Sequence, residues 1–326
     1  MLADQTLLMI RTKLLLLIVL SVSISSLNAQ AQQCDPQGVR IQILGSGGPE
    51  LRDDRSASSF LVWQDGKPRI LVDVGGGAAL RFYSSGAKLS ELDSILFTHL
   101  HVGHSGDLAA LINAGDASRR SSPLPIYGPD GNQVMPSTVS FVRSLFDQKR
   151  GAFRHLGNFL SPLGKQTFKL KPYDLSAQTK PARAGLKPGK IEPVPVYSLG
   201  AISIFSIPLM HNSIPTLAYR INIENKVVVF GSDISQHSGN LEQLAKDADI
   251  LVMGHGILES GSSATGESSI PPSVVGRIAY RANVKQLVLV HRTTAMLGRE
   301  KEILEAIKDK YAGLITFAND MDCFQP

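Results

Sequence analysis

The order of apolar segments predicts an α/β fold in which two β-sheets pack face to face with helices outside, a four-layer αββα sandwich. Three observations point there. Short runs rich in Val, Ile and Phe recur between Gly, Pro, Asn and Asp, the pattern of strands bounded by turns. Strand runs come first, then strands mixed with helical stretches, then the same again, which suits layers of sheet and helix. The early strand runs also lie too close together for the helical crossovers of a plain parallel sheet.

The expected strands are Val39–Leu44, Ser59–Trp63, Arg69–Val72, Ser94–Thr98, Ile202–Ile207, Leu217–Ile223, Lys226–Phe230, Ile250–Val252 and Gln286–Val290. Glu224-Asn225 between two of them reads as a hairpin turn. The expected helices are Ala78–Ser85, Gly106–Asn113, Ser137–Phe146, Leu241–Ala248, Pro272–Ala282 and Glu300–Tyr311. The last is the best marked, because Ile303, Leu304 and Ile307 form one apolar face with charges opposite. No repeat or heptad is present.

The chain of 326 residues opens on a segment unlike folded protein. Arg11 and Lys13 precede the apolar run Leu14 to Leu20, which fades through Ser21 to Leu27 into the small-x-small site Ala29-Gln30-Ala31. Basic, apolar and cleavable in that order describes a secretory signal over residues 1–31. An uncleaved anchor fits less well, since the strongly apolar stretch is short of the ~20 residues that span a bilayer. Lipidation of Cys34 fits poorly because Gln33 precedes it. The expectation is a periplasmic or secreted protein, free of the membrane once the signal is removed. Residues 32–326 would then form a single domain, a length able to bury a substantial core. Losing Arg11, Lys13 and Asp4 lowers the formal charge from +5 to +4.

Cys34 and Cys323 are the two cysteines, one near each end of the mature chain. An oxidising compartment favours pairing them over two separate thiols. Such a bridge closes nearly the whole chain into a loop, worth roughly 4–5 kcal/mol at best. It requires the termini to lie side by side.

Residues 161–190 carry Lys165, Lys169, Lys171, Lys180, Arg183, Lys187 and Lys190 against the single acid Asp174. With frequent Pro and Gly, this reads as an exposed basic loop or arm, either a solvated linker or a binding element.

The strongest local feature is Ser94-Ile95-Leu96-Phe97-Thr98-His99-Leu100-His101-Val102-Gly103-His104. An apolar strand runs directly into three histidines within six positions. His99 and His101 are two apart, so at a strand end both rings can point the same way. Imidazole is a common zinc ligand at about 2.0–2.1 Å, and this spacing is hard to explain without a metal. His211, Asp233 and His291 each stand just beyond a later apolar run, where sheet proteins gather their sites.

These motifs, with Gly45-Ser46-Gly47-Gly48, Leu71-Val72-Asp73-Val74-Gly75, Gly231-Ser232-Asp233 and Leu289-Val290-His291, resemble the metallo-β-lactamase-fold hydrolases. The closest branch is that of ribonuclease Z and related phosphodiesterases and arylsulfatases. The resemblance implies a first metal on His99, His101 and His211, a bridging Asp233, and a second metal on His104 and His291. It implies that Asp73 orients a ligand from behind and that His255 acts near the leaving group as a general acid. The cofactor implied is zinc, one ion with a second as an open alternative. The implied reaction is attack by a metal-activated hydroxide on an ester, phosphodiester or sulfate ester, with Asp233 and His255 as catalytic residues.

Gly103 stands where the family motif His-x-His-x-Asp-His has its aspartate, which leaves the second metal one protein ligand short. Gly103 motivates one alternative, a degenerate, weakly or non-catalytic zinc-binding protein, and the basic stretch with the ribonuclease Z likeness motivates another, a ribonuclease Z-like nucleic-acid hydrolase. Export argues against transfer-RNA maturation, so the expected partner is a small-molecule or ester substrate and nucleic acid is not expected. β-Lactam hydrolysis is a minor possibility, because Asp233 rather than cysteine occupies the bridging position. Substrate identity and oligomeric state are not legible.

Overall fold

Alternation along the strands decides which layer each side chain serves. In Lys226–Phe230, Val228 and Phe230 face one core while Val229 faces another. In Ile250–Gly254, Ile250 and Val252 split in the same way from Leu251 and Met253. Side chains two apart share a sheet face, so a run that is apolar throughout must be buried on both faces. That condition is met only where each sheet lies between its partner sheet and a helical layer.

The computed structural model describes residues 34–50, 53–115, 120–178, 191–254, 259 and 269–326. The expected leader lies outside the described residues. The first sheet contains β1 (Val39–Gly45), β2 (Ser59–Gln64), β3 (Lys67–Val72), β4 (Ser94–Leu96), β5 (Leu124–Pro129), β6 (Leu170–Leu175) and the C-terminal β14 (Cys323–Phe324). Their order is β14-β1-β2-β3-β4-β5-β6. The second sheet contains β7 (Val194–Leu199), β8 (Ile202–His211), β9 (Ile214–Ile223), β10 (Lys226–Phe230), β11 (Ile250–Gly254), β12 (Gln286–Val290) and β13 (Leu314–Phe317). They run in reverse chain order from β13 to β7.

Three apolar cores separate the four layers. Ile41, Ile43, Val72 and Leu96 of the first sheet meet Leu217, Tyr219, Phe230 and Val290 of the second. On the outer face of the first sheet lie α1 (Ala78–Ser84), α3 (Leu108–Ala114) and α4 (Thr138–Phe146), which supply Phe82, Leu111 and Phe146. On the outer face of the second lie α5 (Asn240–Leu244), α6 (Pro272–Arg281) and α7 (Glu300–Lys308), which supply Leu244, Ile278 and Ile307. The short α2 (Val102–Ser105) carries part of the histidine motif. The αββα expectation holds, and Glu224 does turn a hairpin, with Ile223 paired to Lys226.

Five strands have no counterpart in the sequence reading: β5, β6, β7, β13 and β14. The edges β6 and β7 are mostly exposed or half-buried and include Pro172 and Pro195, as edge strands tolerate. The basic stretch 161–190 is therefore not one loop. Its middle forms β6, parallel to β5, and Lys169 Nζ donates to the carbonyls of Asn158 and Gly164 at 2.9 and 2.8 Å. Residues 179–190 lie outside the described residues. No helix among the described residues is long and apolar enough to cross a membrane.

The chain ends meet as the cysteines require. Cys323 pairs in register with Gln42 of β1 and is bonded to Cys34, with the Cα atoms 5.6 Å apart and 289 positions between them in sequence. A loop of that length restricts the unfolded chain strongly. Reduction, or Cys34→Ser, is expected to destabilise the protein by roughly 2–5 kcal/mol, measured by thermal unfolding with and without reductant. An unchanged Tm would contradict this.

Candidate metal centre

The site forms where the C-terminal ends of strands from both sheets share one edge. Strands β3 to β6 run parallel, as do β10 to β13, so each group delivers its following residues to the same side. Asp73 follows β3, His99 follows β4, His211 ends β8, Asp233 follows β10 and His291 follows β12. Asp73, Ser232 and His291 have φ of 59°, 55° and 55°, a left-handed conformation uncommon for residues with a side chain. Each sits where a strand turns sharply, and such outliers cluster at functional sites. Gly75 permits the close approach of the motif, since a Cβ there would stand 2.1 Å from the Gly103 carbonyl oxygen. Beside it, Val74 N–H donates to the His104 carbonyl at 2.7 Å.

The side chains converge in two sets. His99, His101 and His211 bring three ligand atoms within 4.8 Å of one another, and so do His99, His104 and Asp233. His99 Nε2 and His101 Nδ1 are 3.1 Å apart. Asp233 Oδ2 lies 3.4 Å from His104 Nε2 and 3.3 Å from His291 Nε2. Tetrahedral ligands at about 2.0–2.1 Å from one cation stand roughly 3.3 Å apart, so these separations already fit. His104 Nε2 is buried and makes no hydrogen bond among the described residues, although it faces Asp233. A buried polar atom normally has a partner, and a cation between His104 and Asp233 would supply one. The donor set fits zinc in type as well as in spacing.

Asp73 organises the other face of the motif. Completely buried, it accepts from Thr98 N–H at 2.7 Å through Oδ1 and from Thr98 Oγ1 at 2.7 Å through Oδ2. The same Oδ2 lies 2.8 Å from His104 Nδ1. With the Nδ1 proton held there, neutral His104 presents the lone pair of Nε2 to the site. Burial works against a charged His104, but Asp73 and Asp233 outweigh it and raise its pKa to about 10. Burial and then the neighbouring His104 charge push His99 well below the usual histidine range. Burial would raise Asp233, yet His291 and His104 hold it well below the usual carboxylate range. The pocket is thus electrostatically arranged for positive charge beside Asp233.

The structure brings His99, His101, His104, His211, Asp233, His291 and Asp73 together. His255 lies outside the described residues. Asp107 is occupied elsewhere, since its Oδ2 accepts from Ala79 N–H at 3.0 Å at the start of α1. Arg292 is structural, binding Glu300 and stacking over Phe317. Sequence reasoning passed over Thr98 as a hub and Ser232, whose Oγ is 3.4 Å from His99 Nδ1. Thr98 sat in the quoted motif, but its two bonds to a residue 25 positions earlier left no local trace.

Residues 52–171 match the model of the metallo-beta-lactamase superfamily. Ribonuclease Z of Mycobacterium avium is 26% identical over 300 residues, covering 87% of this chain and 96% of that protein. Ribonuclease Z of Archaeoglobus fulgidus is 24% identical over 298 residues, covering 85% and 94%. Among solved structures, the metallo-β-lactamase-fold protein YhfI of Bacillus subtilis aligns with a TM-score of 0.66 at 18% identity, covering 88% of this chain and 99% of that one. The short form of human tRNase Z aligns with a TM-score of 0.66 at 18% identity, covering 88% and 98%. These relatives overturn the expectation that nucleic acid is no partner. That expectation leaned on the leader, whereas the proteins similar along most of the chain are enzymes named for RNA. By family match and relatives together, this chain carries a metallo-beta-lactamase superfamily domain matched at residues 52–171, in a metallo-hydrolase fold.

Proposed function

We propose that the protein is a zinc-dependent phosphodiesterase that hydrolyses RNA. The observation that carries this is the pair of ligand sets that share His99, one with His101 and His211 and one with His104 and Asp233, with His291 Nε2 3.3 Å from Asp233 Oδ2, in a chain similar over most of its length to ribonuclease Z. His99, His101 and His211 would hold one metal. His104, Asp233 and His291 would hold the other, with His99 Nε2 3.9 Å from Asp233 Oδ2 between them. Bound zinc supplies Lewis acidity toward a phosphoryl oxygen and lowers the pKa of water. Asp73 keeps the His104 tautomer fixed, and the Thr98 hydroxyl shares that carboxylate. The basic run from Lys165 to Lys190 adds charge suited to a phosphate backbone. His255 remains a candidate to protonate the leaving oxygen. Export is part of the same proposal, supported by the basic-apolar-cleavable order of residues 1–31 and by the Cys34–Cys323 bond. The RNA met by such a protein would lie outside the cytoplasm.

Gly103 favours one competing reading, a metal-binding member without turnover. Activity of the purified natural protein decides between them. RNA cleavage is expected to require zinc, and His99→Ala should reduce it by more than the roughly 10–100-fold typical of an outer-shell change. Absence of zinc-dependent cleavage of structured RNA or an activated phosphodiester would contradict the proposal. Asp73→Asn removes the acceptor charge behind His104 while preserving shape. It is expected to weaken zinc binding roughly 10–100-fold, measured by competition with a chromophoric chelator. Unchanged affinity would show that Asp73 serves folding alone.

A further inference from the structure

The second ligand set lacks the carboxylate that would sit on residue 103. Nothing in the packing dictates that loss. A Cβ on Gly103 would meet only the Cα of Pro49, at an ordinary 3.9 Å. The space where a side chain would project is therefore bordered by Pro49, in the segment Ser46 to Glu50 that follows β1.

That segment is anchored to the site. Gly48 N–H donates to the Arg292 carbonyl at 3.0 Å, and Arg292 N–H donates to the Ser46 carbonyl at 3.0 Å. Arg292 directly follows His291, so the segment is latched to one ligand of the second set while Pro49 borders the helix turn carrying another, His104. The next residue is Glu50. Its Oε2 is buried with no hydrogen-bond partner among the described residues, and it lies 3.3 Å from where a Gly48 Cβ would be. A buried carboxylate oxygen without a donor or cation is costly.

Other described carboxylates near the site are committed. Asp107 holds the Ala79 N–H. Asp320 holds Ser46, Ser56 and Arg81. Asp53 pairs with Arg55 at 2.9 Å. Asp73 holds Thr98 and His104.

We infer that Glu50 supplies, from the loop after β1, the carboxylate that Gly103 lacks, and completes the second metal position with His104, Asp233 and His291. A hard oxygen donor suits zinc beside two imidazoles, and a glutamate side chain is long enough to rotate from its place beside Gly48 into a position that the preceding Pro49 borders, joining the ligand atoms already clustered there. The inference rests on the two-metal reading above.

The test is zinc stoichiometry and stepwise affinity in the full chain, by elemental analysis and chelator competition, for the natural protein, Glu50→Gln, Gly103→Asp and the double variant. The natural protein is expected to bind two ions. Glu50→Gln should weaken the second by roughly tenfold or more and leave the first unchanged, which also reports that the variant is folded. Gly103→Asp in the Glu50→Gln background should restore the second ion. Two ions held equally by Glu50→Gln, or a loss that Gly103→Asp does not repair, would overturn the role of Glu50. A natural protein holding one ion regardless of Glu50 would overturn it too, while leaving a single-zinc hydrolase intact. A natural protein that binds no zinc would instead sink the metal reading itself.

Discussion

The buried carboxylate of Asp73 is the interaction on which the edge of this molecule depends. It joins the end of β3 to the end of β4 through two bonds to Thr98, and joins both to the helix turn bearing His104. An ionised carboxylate is expensive to bury unless it is paired and fully bonded, and here three donors surround it. Burial raises its pKa while His104 and Thr98 oppose that rise. The second sheet is tied to the same point. Leu217 N–H donates to the Thr98 carbonyl at 2.9 Å, and the buried Tyr219 hydroxyl donates to the Phe97 carbonyl at 2.8 Å. The rings of His99, His101 and His104 thus hang from a strand end fixed on both sides.

That arrangement explains how a fold built from ordinary apolar strands yields a site of high charge density. The inner core between the sheets positions the strands, and their parallel direction sends every following residue to one edge. Left-handed turns at Asp73, Ser232 and His291 then bend the chain away abruptly, which keeps the side chains close to the sheet rather than on mobile loops. Burial would raise Asp233, yet His291, His104 and His99 hold it well below the usual carboxylate range, so a charged carboxylate faces the imidazoles. That condition describes a place prepared for a cation.

Much of this was legible in the sequence because its determinants are local. The central strands are apolar on both faces, so β3, β4, β10 and β12 announced themselves, and each was followed by the polar residue that marks the site. The edge strands were not legible. In β6 and β7, exposure and proline erase the apolar signal, and only pairing with β5 and β8 makes them strands. Within the basic stretch 161–190, read as a loop or arm, Leu170–Leu175 was not seen as a strand for that reason. Thr98 and Glu50 were missed because their significance comes from contacts across long stretches of chain. The Glu50 segment meets Arg292 across more than two hundred residues, and no motif records such a meeting. The expectation against nucleic acid failed differently, by letting a leader segment outweigh the likeness of the domain.

The central claim is that two cations bind at this edge, one on each ligand set. Anomalous diffraction at the zinc absorption edge from crystals of the purified protein tests it most directly. The account predicts one peak among His99, His101 and His211 and a second among His104, Asp233 and His291. Zinc-loaded crystals with no peak at this edge, or with zinc bound only elsewhere on the surface, would contradict it.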